Sequence, residues 1–365
     1  MSLERQLISP QAEKKSSILA LTLWALCLLS LLGLYLGTGV RQKMSLVKRL
    51  TTGDSLYYIA DVGVKAAIFE LLQDETAQDF LSERWSNNPD VFKDIRVGAG
   101  RCNVYYEFLN RDGLRRQRFG IVDEESKINI NKAELPVIER LIREVLNYDE
   151  TGSQELAASI VDWRDSDSFL SIPIGSAEDS YYQNLKQPYD CKDFKFQEFR
   201  ELLLVKGMDE EIFEKLRGFI TIFGEGSVNI NTAQRQVFSA LGIADELLEK
   251  IFLYRAGKDE KEDTKDDQIF DIPSNIVAQL SQYVSLSVDE VASLSNIVSR
   301  GLLTTYSYNF MVNSYAAMGG VRLTGLGTQP AAGEESEAAA VGRGSVKQIT
   351  CVVNRKAQIL YWHEN

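Results

Sequence analysis

From Ser17 to Gly37 the chain "SILALTLWALCLLSLLGLYLG" carries no charged residue. A helix of roughly 20 such residues spans a bilayer, so this stretch constrains the fold more than any other. A cleaved secretory signal would have a shorter apolar core, about 7–15 residues, and a small-x-small cleavage site, of which "LGLYLGTGVRQK" is a poor version. Basic residues flank both ends (Lys14 and Lys15 before, Arg41, Lys43, Lys48 and Arg49 after), so charge leaves orientation open. Helical spacing then continues through Leu46, Leu50, Tyr57, Ile59, Val64, Ile68 and Leu72. The pattern predicts one helix from Ser17 to Gln73, softened at Gly53 and Gly63. Its first half lies in the membrane, and its second, amphipathic half packs on a globular body.

Residues 91–122 read as strands, with a hairpin at Asn110–Gly113 between two β-rich runs. From 132 to about 300 the pattern turns helical, in short amphipathic segments separated by turn residues. Asp209 and Asp245 are placed as N-caps. The run "KDEKEDTKDD" at 258–267 reads as an exposed loop. After Gly301 strands return, "TTYSYNFMVNSYAAM" first and then two around Asn354-Arg355-Lys356. Between them the Gly-, Ala- and Glu-rich stretch has no periodicity and reads as a flexible excursion. The order helix, strands, helices, strands is α+β, with a mostly helical domain inserted into a mixed body.

The net charge of −12 and pI near 4.9 disfavour a nucleic-acid partner, which needs a basic footprint. The single histidine, His363, stands two residues from the end. That excludes an internal catalytic histidine and any multi-histidine metal site. Cys27, Cys102, Cys191 and Cys351 are scattered, with no C-x-x-C. Cys27 lies in the apolar stretch, so at most one disulfide forms among the other three, and Cys102 with Cys351 is open.

One phrase occurs twice: "KININKA" at 127–133 and "SVNINTA" at 227–233. The second copy, with "RQVFSALGIADELLEKIF", resembles a helix-hairpin-helix unit. DNA-binding hairpins turn on Gly-x-Gly; here the turn carries one glycine, Gly242, and then Asp245, which repels phosphate. The structural reading is stronger: Asn129 and Asn229 bond backbone at a strand-to-helix turn, and Asn131 and Asn231 cap the next helix.

Between the copies lies "SIVDWRDSDSFLSIPIGSAEDSYY". Asp162, Asp165, Asp167, Glu178 and Asp179 cluster there around a Pro/Gly loop. Carboxylates with little nearby basic charge suit a hard cation, Ca2+ before Mg2+. The segment is not an EF-hand: counting from Asp165, Leu170 and Ser176 stand where Gly and Glu are required. A solvated acidic loop is the plain alternative. A hydrolase would need two carboxylates fixed across a cleft, and residues crowded into one loop rarely flank one. No phosphate loop, Ser-His pair or Cys-His pair is present, so catalytic residues are expected to be none.

Together these parts resemble the type II secretion system minor pseudopilin K family (general secretion pathway protein K). The residues that carry the resemblance are "DEESKININKA" (123–133), "IVDWRDSDS" (160–168), "GSAEDSYY" (175–182), "FRELLLVKGM" (199–208), "GEGSVNINTA" (224–233) and "CVVNRKAQILYWHEN" (351–365). The DWRDSD…GxAEDxYY pairing is the most specific of them.

The resemblance implies a basic leader at 1–16, cut by prepilin peptidase between Ser16 and Ser17. Serine stands where the family has glycine, and Leu21 stands at the fifth mature position, where most pseudopilins carry Glu. It also implies a long helix at 17–75, with a transmembrane part at 17–37. A pilin-like body follows at 76–122 and 301–365, with a flexible loop at 319–345 and a helix-hairpin-helix-like domain inserted at 123–300. The family binds calcium in that domain, which points again at the five carboxylates. The implied role is structural: a tip subunit of the periplasmic pseudopilus, anchored in the bacterial inner membrane and assembled with I-, J- and H-type minor pseudopilins. The competing reading is a membrane-anchored helix-hairpin-helix DNA-binding protein of DNA-uptake type.

Overall fold

The computed structural model describes residues 10–110, 113–318 and 346–365, with side chains from residue 19 onward. Two units arise, one up to Ser55 and one from Leu56 to Asn365. The first is helical: α1 runs Pro10–Leu72. Within it Leu19 to Leu36, Trp24 and Tyr35 included, present exposed apolar side chains. Among the described residues α1 is the one helix long and apolar enough to cross a membrane. Ser16 and Ser17 lie within its backbone, and residues 319–345, expected to form the excursion, lie outside the described residues.

In the second unit the chain passes through α2 (Pro89–Phe92), β1 (Ile95–Val97), β2 (Gly100–Val104), β3 (Tyr106–Leu109), β4 (Arg115–Arg118), β5 (Val122–Asp123) and β6 (Ile128–Asn129). It continues through α3 (Leu135–Leu146), α4 (Glu150–Arg164), α5 (Asp179–Tyr182), α6 (Glu210–Leu216), β7 (Ile220–Thr221) and β8 (Val228–Asn229). The remaining elements are α7 (Arg235–Ala240), α8 (Asp245–Arg255), α9 (Ile276–Tyr283), α10 (Val288–Ser299), β9 (Leu303–Thr304), β10 (Asn309–Met318), β11 (Val346–Asn354) and β12 (Ile359–Glu364).

An antiparallel sheet in the order β1-β2-β10-β11-β12, with β5 against the start of β10, forms the body. Leu56, Ile59, Ala60, Val64, Ala67 and Leu71 recur every three or four residues of α1 and are buried in one core with sheet residues Val104, Phe310, Val312 and Cys351. Gly63 does not soften the helix. A Cβ there would stand 2.2 Å from Ser314 Oγ, and Ser314 Oγ donates to the Ala60 carbonyl at 2.7 Å. The glycine is needed for close approach of helix and sheet. β10 lies between β2 and β11, pairing Ala316 with Cys102 and Val312 with Cys351. The two thiols therefore do not neighbour, and both are free.

The chain between β5 and β10 is helical but carries two small parallel pairs, β6 with β7 and β8 with β9. The stretch "GFITIF" thus holds a strand where a helix is expected, because Ile220 and Thr221 pair with Ile128 and Asn129. Residues Phe199–Leu204 form a 3-10 helix. The hairpin expected around 110–113 is matched by the antiparallel pairing of β3 with β4, with Asn110 N donating to the Leu114 carbonyl at 3.0 Å; residues 111 and 112 lie outside the described residues.

Both copies of the repeated phrase are built alike. Asn129 Oδ1 accepts from Asn131 N, and Asn229 Oδ1 accepts from Asn231 N. Asn131 and Asn231 do not cap the next helices, whose N-caps are Glu134 and Gln234. Instead each clasps a distant phenylalanine backbone from both sides. Asn131 holds Phe196 N and carbonyl (2.8 and 3.0 Å), and Asn231 holds Phe270 N and carbonyl (2.9 and 3.0 Å). Arg164 then donates to the Ala133 carbonyl as Arg255 does to that of Ala233. Asp209 caps α6 by accepting from Ile212 N. Asp245 is the first residue of α8 rather than its cap and pairs with Arg235. In the charged run, Glu262 and Asp263 are not free in solvent: they pair with the buried Arg255 and Arg118.

The second copy joins the insert to the body. Asn229 Nδ2 donates to the Asp79 carbonyl, Asp123 Oδ2 and Ser307 Oγ at 3.1, 3.0 and 2.8 Å. Ser307 and Thr232 hydroxyls also donate to Asp123. Asp79, 0% exposed, accepts from Ser307 N and from Arg355, which reaches Asp74 as well. Burial pushes the Asp79 carboxyl up to about 8, against the pull of Arg355.

Candidate metal centre

The acidic segment is positioned by α4. Asp149 starts this helix by accepting from Gly152 N at 2.8 Å, and Asp165 ends it in extended conformation. The last turn therefore delivers Asp162 inward and Asp165 at the rim. Beneath them Trp163, Tyr182 and Tyr189 pack edge-on or tilted, with ring centres 5.1–6.1 Å apart. Gly175 brings the returning loop back. Its φ of +106° and the 2.3 Å approach of a Cβ to the Glu155 side chain admit only glycine.

Asp162 is 0% exposed. Its Oδ1 accepts from Ser171 N at 2.9 Å, while its Oδ2 is buried without a partner. Asp165 Oδ1 and Glu178 Oε1 are likewise buried without partners. Unpaired buried carboxylate oxygens are costly and call for a counter-charge. Burial, then Asp167 and Asp162, push Asp165 up to about 6. Burial, then Asp162, Asp165, Asp193 and Asp179, push Glu178 up to about 7. Each of these carboxylates disfavours the charge of the next.

Three of the five expected residues, Asp162, Asp165 and Glu178, thus keep buried oxygens without partners, and Asp162 and Asp165 act electrostatically on Glu178. Asp179 lies beside them, with Oδ1 committed to Cys191 N at 2.7 Å. Asp167 is exposed and closes a local turn on Phe169 N. The residue pattern does not single out Cys191 and Asp193, yet Glu178, Cys191 and Asp193 bring one ligand atom each within 4.8 Å of one another. The run Asp190-Cys-Lys-Asp193 is the signal that would find them. Hard oxygens around an electrostatic deficit fit a Ca2+ ion, which takes 6–8 such ligands. At the other end of the insert, the turn at Gly242 is flanked by Arg140, whose Nε donates to the Ala240 carbonyl at 2.8 Å.

Residues 114–225, which contain this centre, match the family model "Type II secretion system (T2SS), protein K". Two curated relatives are type II secretion system protein K of Pectobacterium carotovorum subsp. carotovorum and of Aeromonas hydrophila. The first is 28% identical over 36% of this chain and 38% of its own length. The second is 25% identical over 58% of this chain and 62% of its own length. The chain therefore spans less than two thirds of either relative. In fold it resembles the GspK-GspI-GspJ complex of the type 2 secretion system from enterotoxigenic Escherichia coli. That match has a TM-score of 0.58 at 14% identity, covering 89% of this chain and 99% of the solved one. Over its central segments this chain is similar in sequence to type II secretion system protein K, and over most of its length it is similar in fold to the solved GspK-GspI-GspJ structure.

Proposed function

We propose that the chain is a membrane-anchored minor pseudopilin that works at the tip of the type II secretion pseudopilus. The observation that carries this is the insertion between β5 and β10: a helix-backed antiparallel sheet, the shape of a pilin body, bears a helical mass too bulky to repeat along a filament. A subunit of that shape caps a filament and blocks growth above itself. Its partners are minor pseudopilins of the I and J types, the kinds named with GspK in the related complex, and an H-type subunit below. The apolar part of α1 holds the precursor in the inner membrane, with the remainder in the periplasm. Co-purification from cells expressing I- and J-type subunits tests this reading. Retention of both is expected, and recovery of the chain alone sinks it.

Processing follows from the same reading. Prepilin peptidase is expected to cut before Ser17, giving a mature chain that begins "SILAL". Mass spectrometry with and without the peptidase decides this, and an intact Met1 in both samples rules it out.

The acidic centre holds Ca2+ through Asp162, Asp165 and Glu178, with Asp179 and Asp193 at its margin. The ion supplies the positive charge that lets these carboxylates stay ionised together and fixes the loop between α4 and α5. Calorimetry is expected to show binding heat, and a hundredfold excess over Kd adds about 2.7 kcal/mol of stability. No heat and no rise in thermal midpoint would refute it.

The pH dependence has a definite sign. Unfolded carboxylates titrate near about 4, whereas Asp165 and Glu178 in the fold are raised to about 6 and about 7. Without Ca2+ their contribution is complete below pH of about 4 and is lost as pH rises through 6 and 7. The calcium-free midpoint should fall from pH 5 to pH 8, and saturating Ca2+ should make that fall shallower, the part that belongs to Asp79 remaining.

A further inference from the structure

We propose that Cys191 gives this centre a second, softer site, at which a thiophilic divalent cation, Zn2+ first, binds through Glu178, Cys191 and Asp193. Sγ of Cys191 and one carboxylate oxygen from each of the two acids lie within 4.8 Å of one another. Glu178 is 4% exposed, and its Oε1 has no partner. The thiol is placed rather than incidental. Asp179 Oδ1 holds the Cys191 backbone N at 2.7 Å, and the Sγ rests against the Asp162 carbonyl at 3.5 Å, a weak contact that a cation readily replaces.

Donor chemistry separates the two sites. Ca2+ takes oxygen ligands and gains little from sulfur, whereas a thiolate with one or two carboxylates suits Zn2+ and related soft ions. On binding, the S–H bond breaks, the proton leaves to solvent, and the sulfur lone pair forms the bond to the metal. Nothing is oxidised or reduced. The site shares Glu178 with the calcium reading, so the two cations compete there, but it stands on the thiol.

The test is a Cd2+ titration of the full chain in detergent after chelation, followed by the ultraviolet sulfur-to-cadmium charge-transfer band. The band is expected to saturate at one Cd2+ per chain and to weaken with excess Ca2+. Cys191→Ser should remove it and lower Cd2+ affinity at least tenfold, whereas Cys27→Ser should leave it intact. Asp193 is exposed, so Asp193→Asn is a variant that folds; it should weaken Cd2+ binding while keeping the band at high Cd2+. No band in the native chain, or a band that persists in Cys191→Ser, overturns the proposal. A Cd2+ band without Ca2+ heat supports the thiolate site and sinks the calcium reading. Ca2+ heat without a Cd2+ band does the reverse.

Discussion

Above pH of about 8, where the buried Asp79 is ionised, replacing Arg355 with Met is expected to cost about 3–5 kcal/mol, the usual penalty for removing one partner of a buried ion pair. Arg355 serves two acids, Asp74 and Asp79, and donates through Nε to the Ser307 carbonyl at 2.9 Å. Methionine matches the stem but leaves the Asp79 carboxylate buried with a single backbone donor, Ser307 N. Denaturant unfolding followed by tryptophan fluorescence reads the loss. Asp79→Asn in the Arg355→Met background should recover part of it, because the amide removes the unpaired charge. A loss below about 1 kcal/mol would show that this joint does not hold the body together.

The second large effect is expected at Asn229. Asn229→Ala removes the donor to Asp123, Ser307 and the Asp79 carbonyl, and leaves Asn231 N without its acceptor. All of these sit in the buried joint, and an unsatisfied buried group costs about 1–3 kcal/mol. A total of about 2–4 kcal/mol is expected. Asn129→Ala is the internal control. Its amide donates only to the carbonyls of Phe223 and Gly224, and no carboxylate depends on it. It should cost at least about 1 kcal/mol less. Equal losses would mean that both copies merely shape a turn, and that the second copy does not join insert to body.

Much of this was legible in the residues. The uncharged stretch, the amphipathic continuation through Val64 and Ile68, the alternation of "NFMVNSYAAM" and the two strands around Asn354 all follow from local patterning, because period 2 and period 3.6 each permit one kind of burial. Asp162, Asp165, Asp167, Glu178 and Asp179 stand out in the sequence because five carboxylates there share a single basic neighbour, Arg164, but which of them keep oxygens without partners is not written in their order. Asp193 and Cys191 do not stand out. They lie beyond a Lys- and Tyr-bearing stretch, and only the return of the chain over the Trp163–Tyr182 floor brings them beside Glu178.

The paired Asn-x-Asn phrases divide the two kinds of information most clearly. Their sequence fixes a local event: an Asn side chain closing on the amide two residues ahead, which needs nothing distant. Their remaining bonds depend on chain brought from elsewhere. Phe196 and Phe270 meet Asn131 and Asn231 across 65 and 39 residues, and Asp123 meets Asn229 across 106. No periodicity records such separations, because a hydrogen bond is specified by position in space and not by spacing along the chain. Local order, the apolar span and the acidic character of the centre were therefore determined by the sequence itself. Which oxygens are left without partners, which thiol stands beside them, and which Asn locks the insert to the body were decided only when the folded chain removed those groups from water.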